Sequence, residues 1–108
     1  MAAPYCTNTE VKVVLQIASD DVTFDDEIDD CITSGDALID KMLNRFDLIV
    51  PDTTPQTIID ASAHMAAWLF RRHRDPVGAE AFYAEASKFL EVYEFDEGEA
   101  AFKVVSDE

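Results

Sequence analysis

Four helix-start signals constrain this chain more tightly than anything else in it. Thr7 and Glu10 have the spacing of a capping box. Thr23 precedes Asp25, Asp26 and Glu27, which place negative charge where a helix N-terminus favours it. Thr54-Pro55 and Asp75-Pro76 each pair a side-chain acceptor with a proline, whose missing N–H is no loss in a first helical turn. Glycine is scarce, at three residues, and the four prolines act as punctuation. The pattern predicts helices separated by short connections.

The apolar spacing supports four helices. Val11, Val14, Leu15 and Ala18 share one helical face, and Asp20-Asp21 is expected to end it. Ile28, Cys31, Ile32, Gly35, Leu38, Ile39, Met42 and Phe46 form a second stripe. Gly35 lies on it at a cost of about 1 kcal/mol relative to Ala, which predicts a close approach by another helix. Leu48-Ile49-Val50 leads to Pro51 as a short extended connection. The third helix is apolar nearly all round, with Ile58, Met65 and Leu69 on one side and Ile59, Ala63, Ala66 and Phe70 on another. Such a helix is central or shared with a neighbour. The fourth carries Phe82, Ala86, Phe89, Leu90 and Tyr93. Beyond Gly98, Phe102-Lys103-Val104-Val105 is short and β-branched and reads as extended. The expected fold is all-α: a small four-helix bundle over residues 1–97 with an extended C-terminal arm over 98–108.

A chain of 108 residues with 48% hydrophobic residues supports one domain with a real core. No apolar run approaches the roughly 18 residues of a membrane span, and no secretory signal is expected. Cys6 and Cys31 fit no zinc or redox spacing, and Cys31 is read as a small hydrophobe on its stripe. The formal net charge of −15 disfavours bulk nucleic-acid binding, which needs many Lys and Arg. So acidic a surface repels itself unless salt screens it, which suggests a high-salt setting, an acidic face past which DNA slides, or both.

Catalytic and metal-binding readings find little to stand on. The run Asp20, Asp21, Asp25, Asp26, Asp29, Asp30 contains no glycine for a calcium loop and reads as a helix start with a solvated acidic face. His64 and His73 are too far apart on one helix to share a metal. No serine sits in a nucleophile elbow, and no glycine-rich phosphate loop occurs. Neither an enzyme nor a cofactor is expected, and Trp68, Phe70, Phe82 and Phe89 are assigned to the core.

Against this acidity, three of the eight Lys and Arg residues fall at Arg71, Arg72 and Arg74, around His73. One cation would complement the C-terminal dipole of the third helix. The surplus suits an interface, because guanidinium pairs carboxylates in a bidentate way. Phe102, Val104 and Val105 form the second interface candidate: they fold back on the bundle or add a strand to another chain.

In order and spacing the chain resembles the head–tail connector (adaptor, head-completion) proteins of tailed phages and archaeal tailed viruses. The resemblance covers roughly residues 5–105. It runs from Tyr5 and Glu10-Val11-Lys12 with Leu15, through Asp25-Asp26-Glu27-Ile28 to Ala37-Leu38-Ile39-Asp40. It continues with the Thr54-Pro55 helix, through Ala66-Ala67-Trp68-Leu69-Phe70 to Arg71-Arg72, and ends with a final helix and tail. The resemblance implies a helical subunit of a ring, usually dodecameric, in the virion at the head–tail interface, assembled in the host cytoplasm. Its partners would be the portal protein, a neck or tail-completion protein and copies of itself, with DNA passing through the lumen without specific binding and no membrane involved. Arg71, Arg72 and Arg74 would lie at or near ring contacts, and residues 102–105 would dock on a partner. The alternative is an acidic regulatory or DNA-mimic protein that occupies the groove of a nucleic-acid-binding partner.

Overall fold

A computed structural model describes residues 4–45, 48, 50 and 54–106, with side chains described up to Tyr93. The elements are α1 (Asn8–Leu15), α2 (Asp25–Asn44), α3 (Gln56–Arg71) and α4 (Pro76–Ser106), and no strand occurs among the described residues. Helix α3 packs against all three others, as a helix apolar on most faces must. Its buried residues include Ile58, Ala61, Ala63, Met65, Ala66, Ala67, Leu69 and Phe70.

Two apolar clusters lie along α3. Around its C-terminal half, Val11 and Leu15 of α1 and Ile28 and Ile32 of α2 meet Ala63, Ala66, Ala67 and Phe70. Around its N-terminal half, Ile39 and Leu43 of α2 and Ala86, Leu90 and Tyr93 of α4 meet Ile58, Ala61 and Met65. Each large aliphatic side chain buried here contributes about 1.5–3 kcal/mol. The clusters are kept close by Gly35. A Cβ added there would stand 3.2 Å from Met65 Cγ and 3.4 Å from the Ala66 backbone nitrogen. The glycine on the α2 stripe is where α2 and α3 touch.

The helix ends are set by local hydrogen bonds. In the α1 capping box, Thr7 Oγ1 accepts from the Glu10 N–H while Glu10 Oε1 accepts from the Thr7 N–H at 2.8 Å. Helix α1 stops at Leu15, earlier than Asp20-Asp21. Gln16 takes a left-handed conformation with φ 62, the Gln16 N–H donates to the Val13 carbonyl, and the Ile17 N–H reaches back to the Lys12 carbonyl at 2.8 Å. This pair of bonds closes a Schellman end. Ala18 consequently lies outside the helix and is exposed.

Helix α2 is capped by Phe24 instead of Thr23. The Thr23 N–H is held by Asp21 Oδ1 at 3.0 Å, and the Phe24 ring packs edge-on to Phe70 with centroids 5.4 Å apart. The N-cap of α3 is Pro55 and makes no side-chain cap bond. The α4 signal acts as read: Asp75 Oδ1 accepts from the Gly78 N–H at 3.1 Å.

The C-terminal end differs from expectation. The backbone stays helical to Ser106, where an extended arm over 98–108 was expected. One interior glycine costs a helix about 1 kcal/mol, and Glu99-Ala100-Ala101 beyond Gly98 are good helix formers, so Gly98 does not stop it. The side chains of Phe102, Val104 and Val105 lie outside the described residues, as does Phe46 of the α2 stripe.

Gln16 is the one non-glycine residue at positive φ among the described residues. Left-handed backbone costs a side-chain-bearing residue about 1 kcal/mol. Gln16→Gly should therefore raise the midpoint of thermal unfolding followed by circular dichroism, with helicity unchanged.

Candidate interaction site

The turn from α3 to α4 carries the cationic island. It is built by the Arg72 N–H donating to the Trp68 carbonyl at 2.9 Å, and by the Arg74 and Asp75 N–H groups both donating to the Arg71 carbonyl at 2.8 Å. These bonds turn the chain sharply and send its four consecutive basic side chains in different directions.

Arg74 turns back into the fold. Its Nη1 donates to the Phe70 carbonyl at 2.9 Å, closing the end of α3. The same guanidinium grips Glu27 in a fork, with Nη1 at 2.8 Å from Oε2 and Nη2 at 3.0 Å from Oε1. It lies 4.1 Å from the Phe70 ring centroid and 5.5 Å from that of Phe24. The hydrogen bond from Arg74 holds the Glu27 carboxyl below its usual range. Arg74 thus ties the end of α3 to the start of α2.

Arg71 and Arg72 make no ion pair among the described residues. Arg71 is half-buried and lines a concavity with Val14, Gln16 and Phe82. Arg72 is exposed, its guanidinium 4.9 Å above the Trp68 ring. Tyr83 of α4 leans on the same indole with centroids 4.8 Å apart. Trp68 is half-buried instead of enclosed in the core, and with Glu80, Tyr83 and Ala84 it lines an open groove of about 490 Å³. Trp68, Arg72 and Tyr83 therefore form one stacked aromatic and cationic face. The i,i+4 spacing of Trp68 and Arg72 was the signal for half of it; Tyr83 joins only when α4 packs on α3. The sequence-derived island thus divides: Arg74 is bound to Glu27 and the end of α3, Arg72 stacks exposed on Trp68, and Arg71 lies half-buried in a separate concavity.

A second polar group lies inside the bundle. The Asp36 carboxylate accepts from the Tyr5 N–H at 2.8 Å and from Ser62 Oγ at 2.6 Å, and the Tyr5 hydroxyl donates to Asp40. Ser62 is wholly buried and Cys6 Sγ lies 3.1 Å from its Oγ. Since the single hydroxyl proton serves the carboxylate, the thiol is the donor in that contact. Burial pushes the Cys6 thiol up to about 12 and raises the Asp36 carboxyl above its usual range. A sealed, protonated thiol is no nucleophile. This seam pins the N-terminal segment to α2 and α3. Neither Asp36 nor Ser62 stood out in the sequence, because the partners lie 26 or more residues apart.

His64 Nδ1 lies 2.8 Å from the Asp60 carbonyl of its own helix, and His73 is exposed in the turn. Among the described residues no three His, Cys, Asp or Glu side chains gather as a metal ligand set, and no helix is long and apolar enough to cross a membrane.

The division of the island is measurable. Arg74→Glu should lower the thermal midpoint, since it puts a second carboxylate against Glu27, whereas Arg72→Glu, which breaks no ion pair among the described residues, should lower it less. Asp36 gives a pH dependence of known sign. A carboxyl whose folded pKa is raised binds more protons folded than unfolded, so its contribution falls as pH rises from the unfolded value through the folded one. In urea unfolding at a series of pH values, the stability of the native chain relative to Asp36→Asn should decline across that window and level off on either side.

Comparison with protein-family models, curated proteins and solved structures finds no match to this chain.

Proposed function

We propose that this chain is a structural subunit of a virion: a head–tail connector adaptor that forms a ring, dodecameric as the resemblance implies, between a portal protein and a neck or tail-completion protein. The observation that carries the reading is that exposed Arg72 and half-buried Arg71, at the α3–α4 turn, are in no ion pair among the described residues, on a molecule with a formal net charge of −15. A cationic corner of this kind attracts a carboxylate-rich face and disfavours every other approach. Copies of an acidic bundle supply such faces to one another, and each small contact is multiplied by ring closure.

The outer edge of α2 carries exposed Asp26, Asp29, Asp30 and Asp40, none of them in an ion pair among the described residues. A ring lined by such edges repels the phosphate backbone and lets DNA pass without adhering. The same charge makes assembly depend on screening, so we place the working environment at high salt.

The test is co-sedimentation of the purified chain with the portal protein of the same virus, at low salt and in molar KCl. Binding should appear at high salt and be lost in the Arg71→Glu, Arg72→Glu variant, with helicity kept. A stable monomer that ignores portal and instead captures a nucleic-acid-binding protein would replace this reading with that of a DNA mimic.

A further inference from the structure

We infer that the face formed by Trp68, Arg72 and Tyr83 receives the C-terminal segment, residues 95–108, of a second copy of this chain. The inference deepens the connector reading and rests on it for its setting, while the contact itself can be measured with this chain alone.

The receiving face has the composition of a binding hot spot: an indole, a phenol and a guanidinium stacked on one another and open to solvent on one side. Tryptophan held half-exposed beneath an arginine presents a flat apolar platform with a positive rim. The groove beside Trp68 is lined by one carboxylate, Glu80, and Arg72 also borders a concavity that holds Glu27 and Asp30.

The occupant is specified by complementarity. Residues 95–108 hold five acids against one base, Lys103, and four large apolar residues, Phe95, Phe102, Val104 and Val105. Acids suit Arg72, apolar side chains suit the indole platform, and the single cation suits Glu80. Helix α4 has 31 residues, whereas α3, on which it packs, has 16.

The segment cannot reach the site on its own chain. Tyr83 and Phe95 lie on one continuous helix, so the segment begins about 18 Å further along the axis at 1.5 Å per residue and leads away. A second copy must supply it. The contact then joins different surfaces of the two copies, head to tail, and a head-to-tail contact repeats until it closes a ring or grows as a filament.

Trp68 is the single tryptophan of the chain, so its emission reports on this face without a label. A synthetic peptide of residues 95–108 is titrated into the full-length protein in molar KCl. The expected result is a saturable change in Trp68 emission. Arg72→Glu should weaken the affinity at least tenfold while circular dichroism stays unchanged. A peptide carrying Asp107→Lys and Glu108→Lys should recover binding to that variant. No saturable change up to millimolar peptide, equal affinity of the variant for the native peptide, or equal binding of a scrambled peptide would each overturn the inference. Peptide binding by a chain that ignores portal would uphold this contact and remove the connector reading; portal binding without peptide binding would do the reverse.

Discussion

The close crossing of α2 and α3 at Gly35 is the constraint on which the rest of the bundle depends. With no side chain at that point, Met65 and the backbone at Ala66 lie directly against α2. Ala61, Ala63, Ala66 and Ala67 add small buried side chains along α3, between the larger Ile58, Met65, Leu69 and Phe70, on a helix that packs against three neighbours. Dispersion falls steeply with separation, so this proximity gains contact from many small groups at once.

Cations are few enough that their placement is informative. Lys12 is almost wholly buried and meets Asp25 at 2.7 Å, with its Nζ also 3.4 Å from the Ser19 carbonyl. Arg74 meets Glu27. Two of the acids in the first turn of α2 are thus held by cations from α1 and from the α3–α4 turn, and both pairs brace the same helix end. Breaking either would leave a charge poorly compensated, most severely at Lys12, where little water can replace the lost carboxylate. Arg71 and Arg72 are in no ion pair among the described residues; Arg72 lies exposed over the Trp68 ring and Arg71 is half-buried.

The interior is not purely apolar. The seam from Cys6 through Ser62 to Asp36 places a carboxyl beside the α2–α3 crossing, where each polar atom needs a specific hydrogen-bond partner. An apolar replacement would tolerate several positions of the N-terminal segment; the Tyr5 N–H and the Ser62 hydroxyl together accept one. The Tyr5 hydroxyl bond to Asp40, one turn further along α2, aligns the segment along the helix as well.

Helix number, type and approximate extent were decided by local chemistry, which needs only residues three or four apart: the Thr7–Glu10 box, the Asp75-Pro76 cap, the α2 stripe and the glycine on it. Net charge and the clustering of arginines are likewise properties of the chain itself. Tertiary structure alone decided what those arginines do. Glu27 and Arg74 are 47 residues apart, and no local pattern could pair them. Whether Trp68 belonged to the core or to a surface depended on where α4 crossed it, and the answer put its ring beneath Arg72 and Tyr83. The early end of α1 and the run of α4 past Gly98 were legible only in part, because helix ends turn on differences of about 1 kcal/mol that packing readily outweighs.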